Sequence, residues 1–170
     1  VVDCTIKGKF RVRELKNTNP LAVGDRVLFE FEPGRGSGII TELLDRKNYI
    51  LRKSSNLSKQ SQIIAANIDH VFLMFTITYP ETPVEFIDRF LITAEAYRIP
   101  ASLIINKTDL YNEEEEARME RLISIYEMIG YKCFKLSVKN RTGLDSLAAL
   151  MKDKISLIAG NSGVGKTTLL

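Results

Sequence analysis

The sequence predicts an α/β protein with a mostly parallel sheet, preceded by a small all-β barrel. Three observations carry this. After about residue 60, apolar strand-like runs alternate with segments of helical period, the pattern of a parallel sheet covered by helices on both faces. Before it, short strand runs are separated by turn residues with no helical period between them. Near the end, a Gly-rich turn joins an apolar run, Ile155 to Ala159, to a helical register beginning at Gly165. Apolar residues make up 45% and charged residues 26% of the 170, an ordinary globular composition with enough chain for a core. No run of eighteen apolar residues occurs, and no secretory pattern opens the chain.

In the first part, Cys4 to Leu15 alternates, with Lys7, Lys9, Arg11 and Arg13 on one face and Ile6, Phe10 and Val12 on the other. Asn17 to Pro20 reads as a turn. Further strands are expected at Arg26–Phe31, Ile39–Leu44 and near Tyr49–Arg52, the first of these ended by the turn residues Pro33 to Gly38. This spacing suggests a barrel of the OB type, a five-stranded architecture that often binds single-stranded or irregular nucleic acid with basic and aromatic side chains. The face of Lys7, Lys9, Arg11 and Arg13 is therefore a candidate RNA surface, with a solvated face as the plainer alternative. Phe29, Phe31 and Tyr49 are expected in the core rather than as stacking platforms. Residues 1–62 carry a net charge of +5 and residues 63–170 of −2. That asymmetry favours an anionic partner for the first part. The boundary is placed at about residue 60, giving domains 1–60 and 61–170.

In the second part, His70 to Ile77 reads as a buried strand. His70, the only histidine, has no evident ligand partners and is expected to be structural. Pro83 opens a helix whose apolar side is Phe86, Phe90, Ile92, Ala94 and Tyr97, and which stops before Pro100. A strand at Ala101–Ile105 follows. A helix then runs from Glu113 to Ile129, its four glutamates suiting the positive end of the helix dipole as a solvated start, and Gly130 ends it. A strand at Lys132–Leu136, a short helix at Gly143–Met151 and the strand Ile155–Ala159 complete the series. The two cysteines, Cys4 and Cys133, are expected to be reduced and mostly buried; two thiols this far apart make no zinc site alone.

Ligands of such sheets bind at the carboxyl ends of the strands, and three of those ends carry motifs. Gly160-Asn161-Ser162-Gly163-Val164-Gly165-Lys166-Thr167 fits G-x-x-x-x-G-K-[ST] at every fixed position. Its glycines let backbone N–H groups cradle a polyphosphate, with Lys166 reaching the β- and γ-phosphates, Thr167 holding magnesium and Thr168 continuing the helix start. The motif marks a nucleoside triphosphate without naming the base. After the Ala101 strand comes Asn106-Lys107-Thr108-Asp109, and after the next Ser137-Val138-Lys139. Guanine offers two donors on one edge, which the Asp109 carboxylate can accept; adenine would leave it partly unpaired. Asn106 can brace the loop and reach the base, the Lys107 stem can cover the base face, and N–H groups near Ser137 and Val138 can meet the guanine carbonyl.

The order of these motifs, with Asn106 to Asp109 first and the phosphate loop last, is a circular permutation of the usual GTPase order. Such a domain behind a basic OB-like barrel resembles the RsgA (YjeQ) family of small-ribosomal-subunit assembly GTPases. Gly24-Asp-Arg-Val27, Arg46-Lys-Asn-Tyr49, Ala65 to Asp69 and Phe86-Ile-Asp-Arg-Phe90 are also similar to that family. The resemblance implies GTP hydrolysis stimulated by the small subunit, binding of GTP, GDP and magnesium, contact with rRNA through the barrel, a monomer, and a cytoplasmic location without membrane attachment. It further implies a switch region, a D-x-x-G motif and a zinc-binding domain, none of which lies in these residues. Leu170 falls in the first turn of the expected helix, so the chain is expected to be a fragment, or the ordered part, of a longer protein, and inactive alone. Two alternatives stand beside this reading: an RNA-binding module with a vestigial nucleotide site, and a P-loop ATPase or small-molecule kinase.

Overall fold

The structure is a computed structural model that describes residues 1–6, 21–53 and 61–170. The cationic face of Lys7, Lys9, Arg11 and Arg13 and the turn at 17–20 lie outside the described residues. The chain divides into two compact units, Val1–Ile68 and Asp69–Leu170.

The first unit contains β1 (Cys4–Ile6), β2 (Val27–Phe31), β3 (Gly38–Leu43), β4 (Tyr49–Lys53) and β5 (Ser61–Ala66). β3 lies between β1, which it pairs in parallel, and β2, which it pairs antiparallel; β4 and β5 form an antiparallel pair. A single parallel bridge, Val23 with Ala65, links the stretch before β2 to β5. The sequence reading assigned no strand where β5 lies, placing only the domain boundary there, at about residue 60. Ile63 and Ala66 of β5 are buried. A correction concerns the aromatics. Phe29, Phe31 and Tyr49 are all exposed, Phe31 at 66%, and the Phe29 and Phe31 rings meet edge to face at 5.1 Å. The unit is held by a nearly buried ion pair. Arg46 donates from Nε to Asp25 Oδ1 at 2.6 Å and from its terminal nitrogen to Oδ2 at 2.7 Å. Burial opposes ionisation of Asp25, but the bonds from Arg46 and from Ala22 N outweigh it and hold the carboxyl below its usual range.

The second unit is a four-stranded sheet, ordered β8-β7-β6-β9, with every pair parallel. Its strands are β6 (His70–Phe75), β7 (Ala101–Ile105), β8 (Lys132–Lys135) and β9 (Ser156–Ala159). All six residues of β6 are buried, as expected for a central strand covered on both faces. One face packs Leu73, Phe75, Leu103 and Ile105 against α1 (Val84–Ala96) and α2 (Glu113–Met128). The other packs Phe72, Met74 and Ile104 against α3 (Leu144–Met151) and Val164. The short α4 (Lys166–Leu169) ends the chain. β9 has a neighbour on one side only among the described strands, and its residues are half-buried rather than fully buried.

The helix boundaries have local causes. α1 is capped by extended Pro83 and ends where Arg98 turns left-handed (φ 54°), with Ile99 N bonded back to Ala94 O. Its buried residues are Ile87, Leu91 and Ala94, whereas Ile92 is 68% exposed and not part of the apolar side expected of it. α2 opens on a capping box: Asn112 Oδ1 accepts from Glu115 N, and Glu115 Oε2 from Asn112 N. His70 is structural in placement, its Nε2 2.9 Å from the buried Ser102 Oγ. Burial first, then the ammonium groups of Lys154 and Lys132, hold its pKa below the ordinary value. Cys4 and Cys133 are free and half-buried; burial and the nearby Glu127 push the Cys133 thiol up to about 12.

Candidate nucleotide-binding site

The site is built where β6, β7, β8 and β9 end. Asn106 follows β7 and is buried at 2% exposure. Its amide works as a tie: Nδ2 donates to Val164 O in the phosphate loop at 2.8 Å, and Oδ1 accepts from Val138 N at 3.2 Å. Asn106 thus joins two loops, the bracing role the sequence suggested, and its amide keeps a second N–H and a second lone pair. Lys107 takes a left-handed conformation (φ 64°) and turns the chain into a 3-10 turn, Thr108–Leu110. Its Nζ donates to Tyr79 O at 2.6 Å, so its ammonium is turned toward the segment after β6.

Asp109 is exposed, and its Oδ1 accepts from the Ser137 hydroxyl at 2.6 Å. Ser137 Oγ also accepts from Asn140 N, so the serine holds its own loop while orienting the carboxylate. Thr108 anchors the turn from the other side, with both its N–H and its hydroxyl bonded to Leu136 O at 3.1 Å. Asn106, Lys107, Asp109, Val138, Lys139, Gly165 and Thr168 thus line one cavity of about 170 Å³.

The phosphate loop reaches the same place from β9. Val164 is fully buried in the core with Phe72, Met74 and Leu136, which pins the loop's middle to the sheet. Gly160 and Gly165 have left-handed backbones (φ 151° and 104°), and both lie too close to neighbours for a side chain. A Cβ on Gly160 would stand 2.1 Å from Met74 O, and one on Gly165 2.4 Å from Asn106 Nδ2. Lys166 is half-buried, its Nζ donating to Gly160 O at 2.9 Å and Asn161 O at 2.7 Å. Its cation is therefore held inside the loop. Ser162, Gly163, Thr167 and Thr168 are exposed beside it. These residues fit a polyphosphate: a tight backbone turn, an enclosed ammonium and free hydroxyls. Among the described residues no cluster of His, Cys, Asp or Glu suits a metal ion. A magnesium ion bound through phosphates needs little from the protein beyond one hydroxyl, such as that of Thr167.

The structure also shows residues that the sequence reading passed over. Tyr111 bonds to both Ile77 N and Asn106 O. Glu115, expected only as part of a solvated helix start, also accepts from Thr78 Oγ1 at 2.9 Å. No motif marks either residue, because one partner of each, Ile77 for Tyr111 and Thr78 for Glu115, lies more than thirty positions away in sequence.

The RsgA GTPase family profile matches residues 43–170. The chain belongs to this family. Among RsgA relatives, the small ribosomal subunit biogenesis GTPase RsgA of Phocaeicola vulgatus is 53% identical over 169 residues, covering 99% of this chain and 54% of that protein. The protein of the same name from Bacteroides fragilis is 50% identical over 170 residues, again with 54% of its length covered. The chain therefore spans about half the length of the curated relatives it matches. Among solved structures, YjeQ from Thermotoga maritima aligns with a TM-score of 0.79 at 38% identity, over 98% of this chain and 54% of that one. YloQ, described as a circularly permuted GTPase, aligns at 0.71 and 31% identity, over 99% and 54%. The four-stranded parallel sheet with its motif-bearing loops is thus the RsgA GTPase fold.

Proposed function

We propose that this chain is the nucleotide-binding part of a circularly permuted GTPase acting in biogenesis of the small ribosomal subunit. The observation that supports it best is the double tie of Asn106, which draws the Lys107–Asp109 turn, the Ser137–Lys139 loop and the phosphate loop to one edge of the sheet. In this reading the reaction is attack of water on the γ-phosphorus of GTP, giving GDP and phosphate. Backbone N–H groups of residues 160–165 hold the phosphates, and Lys166 neutralises charge that develops on them. Thr167 would hold a magnesium ion through its hydroxyl, and such an ion would supply further neutralisation of phosphate charge. The Asp109 carboxylate, oriented by Ser137, accepts from the ring N–H and exocyclic amine of guanine, with Val138 and Lys139 closing the other side of the base.

The first unit, in the same proposal, is an OB-type barrel that contacts rRNA through Lys7, Lys9, Arg11 and Arg13. Its charge excess and the relatives' role in small-subunit biogenesis support this. Stimulation by the subunit, a zinc-binding domain, a monomeric state and a cytoplasmic location follow from the family resemblance. Among the described residues, no helix is long and apolar enough to cross a membrane.

Titration of guanine and adenine nucleotides into the full chain tests the reading. Guanine nucleotides are expected to bind at least about tenfold more tightly than adenine nucleotides, and Asp109→Asn to erase most of that margin. Equal affinity for the two bases in the unsubstituted protein, or an unchanged margin in Asp109→Asn, would contradict it.

A further inference from the structure

Beside the bonds from Thr108 to Leu136 and from Ser137 to Asp109, one phenol braces the Lys107–Asp109 turn from the side of β6. Tyr111 lies two residues beyond Asp109, its ring packed at the margin of the core that includes Phe75 and Ile105. Its hydroxyl donates to Asn106 O at 2.6 Å and accepts from Ile77 N at 2.9 Å. A phenol has one proton to give, so its donor role is spent on Asn106. Burial pushes its pKa up to about 12, so that proton stays in place throughout the physiological range.

Two consequences follow from the geometry. Asn106 is the residue whose side chain ties the phosphate loop to the Ser137 loop, and Tyr111 fixes the backbone from which that side chain projects. Ile77 belongs to the segment after β6, which is itself fastened at several points. Thr76 Oγ1 donates to Pro80 O, Thr78 Oγ1 to Glu115, and Lys107 Nζ to Tyr79 O. The Pro80 ring stands beside the phosphate loop, where a Cβ built on Gly163 would be 3.5 Å from its Cδ. One hydroxyl therefore links the proposed base-reading turn to a segment lying against the phosphate loop.

We propose that Tyr111 is a positioning residue for guanine recognition, its hydroxyl setting the Asn106–Asp109 turn against the segment after β6 and so fixing where the Asp109 carboxylate stands. This rests on the guanine-nucleotide reading above. In this role Tyr111 touches no nucleotide; it acts through Asn106.

The test compares GDP with inosine diphosphate, whose base lacks the amine that Asp109 would accept. In the full chain, the unsubstituted protein prefers GDP. Tyr111→Phe keeps the ring and is expected to shrink that preference by about threefold or more, the scale of one lost hydrogen bond. Tyr126→Phe loses a comparable contact, to Asp88 Oδ1 at 2.9 Å, away from the turn, and is expected to leave the preference unchanged. An undiminished preference in Tyr111→Phe, or the same decrease in both variants, overturns the assignment. Hydrogen exchange at the Ile77 amide reads the link without substitution: it should slow when GDP binds, and unaltered exchange would also overturn the assignment. No preference for GDP in the unsubstituted protein would instead sink the guanine reading, and this inference with it.

Discussion

The two edges of the four-stranded sheet are built differently. At the carboxyl edge, side chains cross between loops from separate strands: Asn106 reaches Val138 and Val164, Ser137 reaches Asp109, and Tyr111 reaches Ile77. At the amino edge, polar groups pair with near neighbours in the fold. His70 meets Ser102 on the adjacent strand, the Asp69 carboxylate accepts from Ile155 N, and Tyr131 donates to Glu95. The amino edge has the larger concavity, about 430 Å³ lined in part by His70, Ser102, Tyr131, Lys132 and Lys154, against about 170 Å³ at the carboxyl edge. Size is thus a poor guide to the site. What separates the edges is that at the carboxyl edge a single side chain, Asn106, ties two other loops at once, whereas each amino-edge bond joins one pair of adjacent segments.

Substitutions at the two edges should have different consequences. The largest effect is expected from Lys166→Ala, which removes the cation held inside the phosphate loop. GTP turnover of the full-length protein with small subunits added should fall by roughly 10²- to 10³-fold, with little change in thermal stability. Turnover within experimental error of the unsubstituted protein would place the chemistry elsewhere. Next is Gly165→Ala, which forces a side chain into a left-handed backbone and against Asn106 Nδ2. Denaturant unfolding should show a loss of roughly 1–3 kcal/mol, accompanied by weaker GDP binding, because the clash falls on the tie itself. Ser102→Ala strikes the amino edge. It should cost about 1 kcal/mol of stability while leaving GDP affinity as it was; a parallel loss of affinity would erase the distinction between the edges.

The smallest expected effect concerns pH. His70 is held below its ordinary pKa in the folded state, so folding disfavours its proton. Its contribution to stability is complete above the unfolded value of about 6.5 and declines as pH falls from there toward the folded value. Thermal midpoints should therefore drop more between pH 7.5 and 5.5 in the unsubstituted protein than in His70→Gln. Parallel curves would mean that His70 does not titrate in this window.

Much of the carboxyl edge was legible in the sequence, for a physical reason. The phosphate loop, Asn106–Asp109 and Ser137–Lys139 are each contiguous, and the first two follow apolar runs that announce their strands. β6 and β7 were equally plain, because a central parallel strand must be apolar on both faces. What escaped depends on partners distant in sequence. β5 opens with Ser61 and Gln62 and becomes a strand by pairing with β4, which its own composition does not signal. Ile92 fits the helical period as well as Leu91 does, yet only tertiary packing decides which of them is covered. Tyr111 is one unremarked tyrosine until the fold brings Ile77 N to its hydroxyl. That Asn106 braces a loop could be read from its motif, but which backbone groups it meets, Val138 N and Val164 O, only the fold decides.

Titrating GDP into the isotope-labelled chain while following backbone amide signals shows whether three loops from separate strands close on one guanine nucleotide. Amides of Asp109, Ser137 and Val138 should then shift together with those of Gly163 to Thr167, with one common dissociation constant, while His70 and Lys132 stay still. Shifts confined to the phosphate loop, or centred on the amino edge, would contradict that closure.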